Sequence, residues 1–196
     1  SVSQQIFVLA ITLFVIFPAN LTMGAAKDSF VDMFDGKTLQ GWEPTEGAEK
    51  AWRVEDGILV GTGDQGRGYL TYTVNKDIDD FEMKFKYRFP GKGNSGVNIR
   101  AVHDETGKRD FKSYHADLGH KGIGKNVMGA WDFHTPGRRE HRCFRGDSLI
   151  INQDDTPTIT PIKDSLTLDD IQSHQWNNVR IVARDAHFQL FINGKL

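Results

Sequence analysis

Two short stretches of this chain carry residues able to move protons and hold charge, at a spacing that would gather them. In Asn94-Ser95-Gly96-Val97-Asn98-Ile99-Arg100, apolar Val97 and Ile99 alternate with polar Asn98 and Arg100. In Ser113-Tyr114-His115-Ala116-Asp117-Leu118, the residues Tyr114, Ala116 and Leu118 alternate with His115 and Asp117. Successive side chains of a strand point to opposite faces, so a period of two sends one set to a core and the other to the opposite face. If the two strands are neighbours, Arg100, Asn98, His115 and Asp117 converge on one open sheet face. Imidazole and carboxylate together suit proton transfer, since histidine is the side chain that changes charge near neutrality. Asp132 and His134, two residues apart, would share one face of a further strand and extend the set. The pattern marks a site without saying which one.

The elements that must position these residues read as strands. Trp52-Arg53-Val54-Glu55 runs into Asp56-Gly57, a hairpin turn signal, and Ile58-Leu59-Val60 resumes the strand. Phe81 to Phe89 alternates apolar and charged residues without a break, and Pro90-Gly91-Lys92-Gly93 ends it. Asn178 to Arg184 and His187 to Ile192 form a late pair. Helix evidence is limited to one turn over Leu166 to Ile171, with Thr167 as a cap before Asp169-Asp170. Runs of strands with glycine-rich turns predict an antiparallel sandwich or barrel. Asn193-Gly194 is a further hairpin signal, so Lys195-Leu196 is expected to begin a returning strand, with the natural protein continuing beyond it.

Composition removes several function classes. A formal net charge of −2 argues against nucleic acid as a partner, since such binders carry a basic stripe. Arg138, Arg139 and Arg142 form a local cluster that Glu140 and Asp147 dilute. Ile6 to Phe17 is apolar, too short to span a bilayer comfortably, and is followed by the small residues Gly24-Ala25-Ala26. Residues 1–26 therefore read as a signal peptide-like segment cleaved near Ala25 or Ala26, which predicts export to a periplasm, cell surface or medium. Cys143 is the sole cysteine, so an internal disulfide is excluded and stability must come from the core. His120 and His141 read as surface loop residues, and Trp42 and Trp52 as packing residues.

Phe34-Asp35-Gly36-Lys37-Thr38-Leu39-Gln40-Gly41-Trp42 resembles the opening signature of the 3-keto-disaccharide hydrolase family, and the likeness continues in order along the chain. Trp52 to Leu59, Asp80 to Met83 and Asn94 to Arg100 resemble its next strands. Tyr114-His115-Ala116-Asp117-Leu118-Gly119 is similar to a subgroup's Tyr-Gln-Ala-Asp-Ile-Gly segment, with His115 in place of the amide. Gly129-Ala130-Trp131-Asp132, Arg138-Arg139, Trp176-Asn177 and Phe188 to Gly194 resemble later pieces, and His134 sits where that subgroup often has an acid. The resemblance covers about residues 30–196; the family's final strand would lie beyond Leu196. It implies an all-β, concanavalin A-like jelly-roll sandwich of two antiparallel sheets lacking its C-terminal strand, with a carbohydrate-sized groove.

The resemblance further implies action on 3-keto-glycosides, whose C3 hydroxyl a sugar 3-dehydrogenase has oxidised; a stable protein partner is not expected. The C3 ketone acidifies the C2 proton, a base removes it, the C1 aglycone leaves by β-elimination, and water adds to the product. Such a site needs a base, a stabiliser of the enolate oxygen and an acid. His115 or Asp117 is the expected base, Arg100 the enolate stabiliser, and Asp132 with His134 the acid. The sequence names no cofactor for certain, and a divalent metal held among His115, Asp117, Asp132 and His134 would serve the enolate equally well. Asn98, Tyr114, Trp131, Arg138 and Arg139 are the expected substrate contacts, with Trp131 either stacking on a sugar ring or packing in the core. The alternative is a carbohydrate-binding module on the same sandwich without catalysis.

Overall fold

Alternation along the chain resolves into antiparallel strands. A computed structural model describes residues 6–10, 30–63, 68–108, 110–124, 129–134 and 141–196. The strands are β1 (Ile6–Ala10), β2 (Trp42–Pro44), β3 (Trp52–Glu55), β4 (Ile58–Thr62), β5 (Leu70–Tyr72), β6 (Phe81–Arg88) and β7 (Asn94–His103). They continue with β8 (Phe111–Gly119), β9 (Trp131–His134), β10 (His141–Cys143), β11 (Asp147–Ile151), β12 (Pro157–Pro161), β13 (Asn177–Arg184) and β14 (His187–Ile192). One sheet has the order β14-β13-β6-β1-β4-β3 and a second β10-β9-β8-β7, while β11-β12 and β2-β5 form small ribbons. Among the described residues the fold is an all-β sandwich and no barrel closes, which decides between the two architectures that the runs of strands allow and agrees with the one that the resemblance implies.

The turns follow from their residues. Asp56 and Gly57 both have positive φ (52° and 76°), as do Asn193 and Gly194 (51° and 83°), the backbone that a two-residue hairpin demands. The predicted helical turn is a single 3-10 turn, Leu168–Asp170, where the Asp170 carboxylate accepts hydrogen bonds from the Thr167 backbone N–H at 2.8 Å and hydroxyl at 2.7 Å. Asn177, only 2% exposed, explains the Trp-Asn pair of the sequence. Its amide donates to the carbonyls of Gln172 and Gln175, and accepts from the Gln172 N–H and from Asn193. One buried amide thus ties the entry of β13 to the β14 turn.

The core forms where the inner faces of the two large sheets meet. From the larger sheet come Leu59, Phe81, Phe85, Tyr87, Val179, Ile181 and Leu190; Ile99, Ala116, Leu118 and Trp131 come from the smaller. Phe188 of β14 packs against Tyr114 of β8 at 4.4 Å and Trp131 of β9 at 5.8 Å between ring centroids, joining the sheets. Each buried large apolar side chain contributes roughly 1.5–3 kcal/mol.

The outer face of the larger sheet carries a charge cluster. Arg180 donates two hydrogen bonds to Glu82 at 2.8 and 3.2 Å, and Lys84 lies 3.0 Å from the same carboxylate. The Arg180 hydrogen bond, chiefly, holds the Glu82 carboxyl down at about 2. A depressed carboxylate stabilises the fold above its unfolded pKa, and that contribution disappears as pH falls through the folded value. Stability is therefore expected to fall between about pH 4.5 and 2, and Glu82→Gln to flatten that part of the curve. Because Arg180 and Lys84 are 42% and 43% exposed, solvent screening limits the effect to about 1–2 kcal/mol. Urea midpoints for both proteins across this pH range check the sign.

Candidate functional site

The proposed neighbours are neighbours. In the smaller sheet Asn98 faces His115, His115 faces Asp132, and Asp132 faces Arg142 across β7, β8, β9 and β10. Directly opposed residues share a face, so these four form one row turned away from the core. The adjoining row pairs Gly96 with Asp117. Strand alternation therefore does what the sequence suggests for Asn98, His115, Asp117 and Asp132.

Local contacts fix each group. Nδ1 of His115 lies 2.7 Å from Oδ1 of Asn98, which also accepts a hydrogen bond from the Ser113 hydroxyl at 3.1 Å. Nε2 of His115 lies 3.4 Å from Oδ1 of Asp117. The Asp117 and Asp132 residues are 6% and 9% exposed, while the His115 side chain keeps 25%. Arg142 grips Asp132 bidentately, at 2.7 and 2.9 Å, the planar match of guanidinium to carboxylate. A β-carbon at Gly96 would fall 2.4 Å from Cε1 and Nε2 of His115, so the imidazole lies over the space that glycine leaves.

Other expected site residues stand elsewhere. The β7–β8 register shifts between Ile99 and Val102, and Arg100 at that irregularity has φ of 49°. A bulge re-aims its side chain. Arg100 pairs with Asp79 and Asp80, donates to the Asp79 and Asp185 carbonyls, and stacks on Phe188 at 5.0 Å. It is a clamp between β7 and the edge of the other sheet, and stands outside the row in which an enolate stabiliser is expected. Arg100→Gln is expected to cost about 1–3 kcal/mol of stability while leaving turnover per folded molecule unchanged, which thermal melts and activity assays on one preparation would show.

Tyr114 and Trp131 lie on the core face, against Phe188, because odd and even positions of a strand cannot share a side. They are packing residues and not sugar contacts. His141 is no surface loop residue: it is 6% exposed in β10, with Nε2 2.9 Å from Asp155. Arg138 and Arg139 lie outside the described residues, as does the His134 side chain, although the His134 backbone pairs with Ser113. Cys143 is buried, and that burial, aided by Asp147, pushes its thiol up to about 11, which suits packing and not nucleophilic attack. Among the described residues no three His, Cys, Asp or Glu side chains are placed to hold a metal ion, and Asp132 is already taken by Arg142.

Sequence reasoning missed Arg142, Ser113 and Gly96. Arg142 sits in a strand of three residues, too short to show a period, and reads as part of a basic cluster. A cavity of about 290 Å³ beside Phe89, His120 and His174, and a groove of about 600 Å³ beside Lys84, Arg180 and Phe191, lie away from the row. The row occupies a sheet face, and its chemistry rests on its side chains.

One comparison with known proteins spans nearly all of this sandwich. A family model described as a 3-keto-alpha-glucoside-1,2-lyase-like domain matches residues 29–196. The chain belongs to this family. Among curated proteins, none matches the chain. Membership of the 3-keto-glucoside lyase-like family carries a family-level role in lyase or hydrolase chemistry on 3-keto sugars. Its opening turn has a clear physical basis here: the Asp35 carboxylate accepts from the Lys37 and Thr38 N–H groups and the Thr38 hydroxyl, and those bonds, the hydroxyl's first, hold its carboxyl at about 2.

Proposed function

We propose that this protein is an exported enzyme that cleaves 3-keto-glycosides by elimination followed by hydration. The observation that carries the reading is the contact of His115 with Asp117 on the one face that also holds Asn98, Asp132 and Arg142. In this reading Nε2 of His115 takes the C2 proton, and the neighbouring Asp117 carboxylate stabilises the imidazolium that forms. The C2–H electron pair becomes the C2=C3 bond of an enolate with its charge on the C3 oxygen. Collapse of the enolate restores C3=O, forms the C1=C2 bond and breaks the C1–O bond, and the aglycone oxygen leaves with a proton from the imidazolium. Water then adds at C1 while a proton returns to C2, so the net reaction is hydrolysis. Among the described residues Arg142, fixed by Asp132, is a cation on this face that can balance charge on the enolate oxygen. A C3 hydroxyl cannot acidify the C2 proton, so an oxidation at C3 must supply the substrate.

The test is aglycone release from a 3-keto-disaccharide, with the unoxidised disaccharide in parallel. Release from the keto sugar alone supports the enzyme. Saturable binding of either sugar without release would replace it with the carbohydrate-binding module. Export is part of the same proposal, and removal of residues 1–26 would also take Ile6–Ala10 from its place between β4 and β6. The mass of the protein recovered outside the cytoplasm is expected to correspond to a start just after Ala25 or Ala26. A start at or before Ser1 would overturn cleavage.

A further inference from the structure

The contacts around His115 leave its two nitrogens in different situations. Nδ1 is 2.7 Å from Asn98 Oδ1, short for a neutral contact and in the range of strong hydrogen bonds. An amide oxygen only accepts, so Nδ1 must be the donor. The amide is itself oriented: Ser113, 3% exposed and two residues before His115 on the same strand face, donates its hydroxyl to the same oxygen at 3.1 Å. Nε2 points the other way, above Gly96 and toward Asp117 at 3.4 Å, too long for a good direct hydrogen bond. Asp132, the other charged neighbour, faces His115 across the ladder but spends its oxygens on Arg142.

We infer that Ser113 and Asn98 are positioning residues that keep the proton on Nδ1 of His115, so that Nε2 is the nitrogen that gains and loses one. The inference deepens the proposed function and rests on it for its catalytic meaning. It reassigns Asn98 from a sugar contact to a holder of the imidazole, and gives Ser113 a role two hydrogen bonds away from the reacting atoms. Both residues act through His115. Without Ser113 the amide oxygen loses its second hydrogen bond and the contact to Nδ1 alone holds it. An amide turned over would present its NH2 group to Nδ1, which would make Nε2–H the stable tautomer and remove the lone pair that a base needs. Gly96 completes the arrangement by leaving room for Cε1 and Nε2.

The experiment is long-range 15N–1H NMR of the imidazoles in the whole protein at a pH where His115 is neutral, the signals being assigned by their loss in His115→Gln. The expected result is a protonated Nδ1 and an unprotonated Nε2. In Ser113→Ala the preference for that tautomer is expected to fall about tenfold, the worth of one hydrogen bond, with kcat on a 3-keto-disaccharide falling by a similar factor. KM should hold, and Ser113→Thr should restore both readings. A protonated Nε2 in the unaltered protein overturns the inference even if turnover is seen. A protonated Nδ1 without turnover upholds the positioning role and defeats the enzyme reading instead. If Ser113→Ala fails to fold, the tautomer of the unaltered protein still decides.

Discussion

Replacing His115 by alanine is expected to lower aglycone release from a 3-keto-disaccharide by about 10²–10⁴-fold, the usual contribution of a positioned acid–base group. The sandwich should survive. His115 points away from the core, its partners Asn98 and Asp117 have other neighbours, and the core face of β8 is built by Tyr114, Ala116 and Leu118. Asp117→Asn should lose less, because the amide keeps the shape but no longer stabilises the imidazolium. The ordering of the two variants is therefore diagnostic: a far larger loss in Asp117→Asn would make the carboxylate the base and His115 its partner. Steady-state rates for both variants, with melts to verify folding, make the comparison.

Gly96→Ala should be the most damaging single-methyl change near the site. The added carbon would lie 2.4 Å from the His115 ring and 2.5 Å from the backbone oxygen of Ala116. A ring can swing away, but a strand carbonyl in a ladder cannot move without parting β7 from β8. Overpacking of this kind costs about 1–3 kcal/mol, and an ångström of misplacement in a reacting group can cost about 10²-fold in rate. Both are expected together, with the melting point lowered and kcat reduced far more than binding of the sugar. Unchanged activity would mean that His115 works from a different rotamer or not at all.

Much of this site was legible before any fold was known. The alternation in Asn94 to Arg100 and in Ser113 to Leu118 placed Asn98, His115 and Asp117 on one face, because a strand's two-residue period is local geometry and needs no tertiary information. The same rule assigned Tyr114 to the opposite face. Tyr114 and Trp131, expected to touch the sugar, both lie against Phe188 in the structure, on the side to which the alternation sends Tyr114. Arg100 also obeys the alternation in sequence, yet a register shift breaks the period one residue after Ile99. Nothing in the types of residues 99–102 announces that irregularity, since it arises where two strands fail to keep step.

The family is readable from its motifs, and an all-β fold, its hairpin turns, and the residues of β7 and β8 that could share a face are all readable from residue types and their periods. These are consequences of backbone preference and periodicity, which act over a few residues. That β9 and β10 extend the row, that Arg142 holds Asp132, and that Arg100 clamps the opposite sheet are visible only in the packed strands. Strand order and register depend on which faces can be buried together, a choice made by contacts between residues far apart in the chain. Ser113, Asn98 and His115 show the division most clearly: their types were readable in advance, but the hydrogen bonds that assign a proton to one imidazole nitrogen exist only once the strands have paired.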